Sequence, residues 1–173
     1  MSPKAINAKV HAVLEEFWDH TLPIRVEEIA QKMGLIVVPY ALEDDISGVL
    51  VVENGVGTIG YNHHESQVRR RFTIAHELGH FELHRDQSSL FLDKRFKVLF
   101  RSQSTPETRL NQQLEQEANA FAAALLMPED VLRNEIANIE FDLGGEDALK
   151  KLASIFNVSS TAMSYRMARL GLI

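Results

Sequence analysis

Apolar residues recur at helical spacing along most of the chain and give way to a β-rich pattern in one part of it. Ile6, Val10, Val13, Leu14 and Phe17 form one stripe, which predicts a helix over residues 4–20. After Pro23 a second helix is predicted over 26–33, with Ile29, Ala30 and Met33 inward and Gly34 as its stop. The pattern then changes. Residues 35–40 and 46–53 read as strands, Asn54-Gly55 is a hairpin turn signal, and 56–61 is the returning strand. Helical spacing resumes with Val68, Phe72, Ala75, Leu78 and Gly79 in the proline-free stretch 66–84, with Asn62 or Ser66 as its cap.

Residues 85–105 are the least regular, and 94–101 reads as a short strand or a lid. Thr105-Pro106 then opens a helix to Met127 with the stripe Leu110, Leu114, Ala118, Phe121 and Leu125. A helix over 129–139 follows, and Gly144-Gly145 breaks the chain. Two short helices, 146–156 and 160–170, are joined by a tight turn at Asn157-Val158-Ser159, and such a pair resembles a helix-turn-helix. The expected class is α+β: a small three-stranded, mainly antiparallel sheet packed on helices. Residues 1–143 make the main domain and 144–173 a C-terminal helix-turn-helix-like appendage.

Composition narrows the function classes. With 173 residues, 45% of them hydrophobic and 24% charged, the chain can bury a core of ordinary size. A net charge of −6 argues against nucleic-acid affinity driven by overall charge. Within 146–173, Lys150, Lys151, Arg166 and Arg169 against Glu146 and Asp147 leave only +2, which favours packing or partner docking over DNA contact. There is no cysteine, so neither a disulfide framework nor a thiolate metal site exists. The first residues lack a secretory apolar run, and nowhere do 18 apolar residues run together. The expectation is a cytoplasmic protein without a membrane span.

The chemistry is concentrated in His76-Glu77-Leu78-Gly79-His80, the pattern H-E-x-x-H. Residues four apart on a helix differ by about 40° around the axis and about 6 Å along it. His76 and His80 therefore offer two imidazoles to one Zn²⁺, and Glu77 flanks the open position as a general base. His84 shares that face but lies about 12 Å from His76 along the axis, too far for the same ion on a straight helix. It is expected to support the site. Gly79, which costs a helix about 1 kcal/mol against alanine, implies that another backbone or a substrate passes close by. Arg69, Arg70 and Arg71 oppose the helix dipole and read as a solvated face, or as partners for acidic groups.

Two histidines and a water leave room for a third protein ligand. With Leu114 as reference on the 106–127 helix, Glu117 falls at about −60°, bordering the inward face, and Glu115 at about +100°, pointing away. Glu117 is thus the expected ligand, and Glu115 and Asn119 are weaker candidates. His84, Tyr61 and Arg101 are candidates for stabilising the oxyanion.

The run Arg71-Phe72-Thr73-Ile74-Ala75-His76-Glu77-Leu78-Gly79-His80 with Leu83-His84 resembles the signature of the ImmA/IrrE metallopeptidase family. Residues 117–128, Glu117-Ala118-Asn119 through Met127-Pro128, resemble its second signature, and Asp45-Ile46-Ser47-Gly48 also fits. The resemblance implies a zincin-like (gluzincin-like) core, one zinc on His76, His80 and Glu117, and Glu77 as general base. It further implies a protein substrate, often a helix-turn-helix repressor, cleaved to switch on phage, mobile-element or stress genes, with toxin–antitoxin-like pairs in some members. Two rival readings stand beside it: a regulatory metal-binding protein that docks a transcription factor without cutting it, and a DNA-binding regulator using the C-terminal helices.

Overall fold

The hydroxyl of Ser2 accepts the Ala5 amide hydrogen at 3.3 Å, and Pro3 fills the first turn, where no amide is left unpaired. The helix opened there, α1 (Pro3–Phe17), buries Ile6, Val10, Val13 and Leu14. The structure, a computed structural model, describes residues 1–43, 45–94, 106–138 and 146–173. Helix α2 (Val26–Lys32) ends before Gly34, whose φ of 87° turns the chain into β1 (Ile36–Tyr40). Strands β2 (Ile46–Glu53) and β3 (Val56–Asn62) form the expected hairpin. Asn54 and Gly55 between them have φ of 50° and 80°, the positive pair that a two-residue turn of the primed kind requires.

The sheet corrects the sequence expectation of three mainly antiparallel strands. It is mixed and has four strands in the order β1-β3-β2-β4, the fourth being β4 (Leu90–Lys94). β2 runs antiparallel to both β3 and β4, whereas β1 lies parallel to β3, from Ile36 opposite Thr58 to Tyr40 opposite Asn62. Alternation of residue types identifies a strand but not its neighbour. The β1 pairing is favoured by a non-local fit: a Cβ on Gly60 would lie 2.8 Å from the Tyr40 ring, so glycine there admits it. β4 escaped notice because its five residues, with Leu90 and Leu92 exposed and Phe91 buried, sit in a charged stretch. Beyond Lys94, the expected strand or lid over 94–101 lies outside the described residues.

Helix α3 (Gln67–His84) is capped by Ser66, whose hydroxyl accepts from the Arg69 amide at 3.4 Å. Asn62, the other cap candidate, donates its side-chain amide to the Leu42 and Ile46 carbonyls instead. α3 packs between the sheet and α4 (Pro106–Leu126), and almost all of it from Thr73 to His84 is buried. A Cβ on Gly79 would lie 3.2 Å from the Ala118 backbone and from Phe121 Cβ, so the backbone expected to pass close is that of α4. α5 (Glu129–Ala137), α6 (Glu146–Phe156) and α7 (Ser160–Arg169) complete the chain, and Leu132, Leu152, Phe156, Met163 and Met167 join the same core.

Two arginines of the basic run act as fasteners rather than as a solvated face. Arg71 donates to the Asn157 and Phe156 carbonyls at 3.2 and 3.4 Å, closing the end of α6. Arg69 reaches Ser47 Oγ at 3.0 Å and Asp93 Oδ2 at 3.4 Å, tying α3 to β2 and β4. Arg166 of α7, buried, donates to the Met127 carbonyl at 3.0 Å. Among the described residues no helix is long and apolar enough to cross a membrane.

Candidate metal centre

One turn of α3 separates His76 from His80, and both rings are buried with their Nε2 atoms 3.1 Å apart. Glu115 of α4 closes the triangle. Its Oε2 lies 3.2 Å from His76 Nε2 and its Oε1 3.2 Å from His80 Nε2. A tetrahedral ion with bonds of about 2.0–2.1 Å holds its ligand atoms roughly 3.3 Å apart, so these three sit at coordination spacing. They are the His/Asp/Glu cluster among the described residues with ligand atoms mutually within 4.8 Å. Two imidazoles and a carboxylate in a cysteine-free chain fit zinc.

The far ring nitrogens are held as well. His76 Nδ1 lies 3.1 Å from Asn119 Oδ1, which accepts only, so Nδ1 carries the hydrogen and Nε2 keeps its lone pair. His80 Nδ1 lies 3.1 Å from His84 Nδ1, and His84 Nε2 lies 3.0 Å from Glu117 Oε2. Glu117 accepts from His84 Nε2, which leaves His84 Nδ1 to accept from His80 Nδ1. His80 thereby also turns a lone pair toward the centre. Glu117 Oε1 is satisfied by Gln113 Nε2 at 2.8 Å and by the Met1 ammonium.

Burial would lower His76, but the Glu115 hydrogen bond and the charges of Glu77, Asp93 and Glu115 outweigh it and lift the ring to about 9. Burial would raise Glu115, yet its hydrogen bonds to His76 and His80 hold it down to about 2. These opposite shifts both express the close approach of the Glu115 carboxylate to the imidazoles. For His80 burial prevails and its pKa is lowered.

Glu77 is fully buried, and neither carboxylate oxygen has a hydrogen-bond partner. Burial pushes it up to about 8, against the pull of His76 and with Asp93 and Glu115 adding to the rise. Gly48 of β2 packs on it so closely that a Cβ there would lie 3.0 Å from Glu77 Oε1. An unpartnered buried carboxyl of this kind is costly to stability and marks functional sites.

The sequence reading chose Glu117 as third ligand and turned Glu115 away; the structure brings Glu115 to the imidazoles and Glu117 to His84. The reason lies in the reference residue. Leu114 is peripheral, and the buried face of α4 runs through Ala118, Phe121, Ala122 and Leu125, centred at about +30°. Glu115 and Glu117 then flank that face on opposite edges, at about 70° and 90° from its centre. Glu115 shares its edge with Asn119, one turn on, and that i, i+4 pair was the signal available in the sequence. His84 and Asn119 do support the histidines. Tyr61 lines a separate polar cleft with Arg25 and Arg70, and Arg101 lies outside the described residues. Sequence reasoning missed Phe91, whose ring stacks on His80 at 4.5 Å, and Asp93 beside His76 and Glu77.

Residues 30–168 match the model of the IrrE N-terminal-like domain. An uncharacterized immunity region protein 2 of Bacillus phage phi105 is 32% identical over 116 residues, 67% of this chain and 66% of the phage protein. The metallopeptidase ImmA of Bacillus subtilis (strain 168) is 27% identical over 135 residues, 76% of this chain and 70% of that protein. A solved structure of a Mycobacterium tuberculosis transcriptional regulator superposes with a TM-score of 0.66 at 19% identity, over 95% of this chain and 46% of the regulator. The chain thus spans just under two thirds of the phage relative and less than half of the regulator.

Proposed function

The chain belongs to the ImmA/IrrE family of metallopeptidases, and on that premise we propose that it is a zinc-dependent endopeptidase acting on a protein substrate. The observation that carries the reading is the convergence of His76, His80 and Glu115 at 3.1–3.2 Å beside the unpartnered, buried Glu77. One zinc per chain, held by those three side chains, would supply a Lewis acid for the scissile carbonyl and lower the pKa of water.

The protein's own groups do the rest. Glu77 accepts a proton from the attacking water and returns it to the leaving amine. Its burial, with neither carboxylate oxygen hydrogen-bonded, raises its affinity for a proton above that of an exposed glutamate, which suits a group that must both take and give one. Asn119 fixes His76, and the pair His84–Glu117 fixes His80, so both Nε2 atoms stay aimed at one point.

The substrate we favour is a helix-turn-helix repressor in the cytoplasm. The immunity-region name of the phage relative and the regulator among similar folds support that choice. Cleavage would then relieve repression of phage, mobile-element or stress genes. The decisive experiment co-expresses the chain with the repressor encoded nearest to it and assays metal content of the purified protein. Wild type should carry zinc and cut the repressor; Glu77→Gln should keep the zinc and lose cleavage; His76→Ala should lose both. Unchanged cleavage by Glu77→Gln would sink the peptidase reading. Repressor binding without cleavage by wild type would transfer the role to a docking regulator.

A further inference from the structure

A cleft of about 540 Å³ adjoins the metal centre on its His76 side, between α3, the second half of α4 and the turn-and-helix around α7. Phe72 and Asn119 belong to both places. The Phe72 ring lies 6.3 Å from that of His76, and Asn119 is the residue that fixes His76. The lining is apolar along Phe72, Ala123, Met127 and Ala162, and α7 forms one whole wall.

Charge at the rim has one sign. No carboxylate lines the cleft, while Arg69, Arg166 and Arg169 do, on a chain whose net charge is −6. Arg69 is engaged by Asp93 and Arg166 by the Met127 carbonyl. Arg169 is exposed, with no carboxylate partner among the described residues.

Resting on the peptidase reading, we propose that this cleft is the specificity pocket. It takes a large apolar side chain (Leu, Met or Phe) from the substrate residue beside the scissile bond, with an acidic residue close by in the substrate drawn to Arg169. Helix α7 then recognises protein substrate rather than nucleic acid.

The test uses the zinc-loaded full chain and three probes: acetohydroxamate, and two succinyl-dipeptide hydroxamates differing only in an isobutyl or a methyl group next to the hydroxamate. The isobutyl compound should bind at least roughly tenfold tighter, as several buried carbons beside a metal anchor imply. In Ala162→Trp, and independently in Ala123→Phe should the first fold poorly, that preference should shrink to about twofold or less while acetohydroxamate still binds. An aspartate added to the isobutyl compound should gain about threefold at low salt, and the gain should vanish in Arg169→Gln. Failure of acetohydroxamate to bind would reject the metal site itself. Binding of acetohydroxamate without an isobutyl preference, or a preference that survives both filled variants, overturns the pocket alone. A concentration-dependent dimer abolished by Ala162→Trp would assign the cleft to a second copy and likewise overturn it.

Discussion

Glu77 has no partner for either oxygen, and its environment makes a signed prediction about stability. Unfolded, it loses its proton near 4.5; folded, near 8. Between those values the native state binds the extra proton. The stability of the neutral form is therefore complete below pH 4.5 and is lost as pH rises toward 8. In chelator-treated protein, Glu77→Gln should raise stability at pH 8 by on the order of 2–4 kcal/mol and change it little at pH 4.5. Calorimetric gains of equal size at both pH values would exclude ionisation as the cause. The two glutamates of α4 give a second test. Glu115→Gln should weaken zinc binding, measured against a competing chelator, by roughly 100-fold or more, and Glu117→Gln, acting through His84, by roughly tenfold. The reverse order would restore Glu117 as the ligand. His76, Glu77 and His80 were legible because their relation is internal to one helix, fixed by its pitch. Glu115 was harder to read: its i, i+4 spacing to Asn119 marked one edge of α4, but only the packing of α4 on α3 decides which edge meets the histidines.

At the scale of elements, the same division between local and non-local information recurs. Periodicity and caps placed α1, α3, α6 and α7 within a few residues, and Asn54-Gly55 placed the hairpin. The parallel seat of β1 and the presence of β4 depend on contacts across the sheet, which periodicity does not encode. β4 matters most, since it brings Phe91 onto His80 and Asp93 to Arg69. The closeness of sheet and helix at the site is set by Gly48. A Cβ there would lie 2.3 Å from Thr73 Cγ2, inside a buried, β-branched side chain that has little room to move. Gly48→Ala should cost about 1–3 kcal/mol in denaturant unfolding. Thr73→Ser, which removes that methyl and keeps the hydroxyl, should recover part of the loss in the double variant. Additive costs in the double-mutant cycle would mean that strand and helix are not in register as described.

Taken whole, the molecule packs α3 against the sheet, against α2 and against α4 with α1 behind it, while Arg71 ties α3 to the end of α6. The sequence reading set residues 144–173 apart as an appendage at the Gly144-Gly145 break. Physically their apolar face is spent on the common core, where Leu152, Phe156, Met163 and Met167 are essentially inaccessible to water. Two buried or half-buried guanidiniums lock the pair down, Arg71 on the end of α6 and Arg166 on the Met127 carbonyl. An arginine desolvated for a structural carbonyl is not available to a phosphate, which further reduces the cations a DNA-reading surface would need. Arg166→Met should then leave the Met127 carbonyl unpaired and cost about 1–3 kcal/mol, against near-neutrality for Arg169→Met at the exposed rim. A chain cut after residue 143 should lose its cooperative thermal transition, because four large apolar side chains would no longer cover the core. If the truncated chain melts as sharply and as high as the full one, the C-terminal pair is a passenger, and any role for α7 in shaping the cleft beside His76 falls with it.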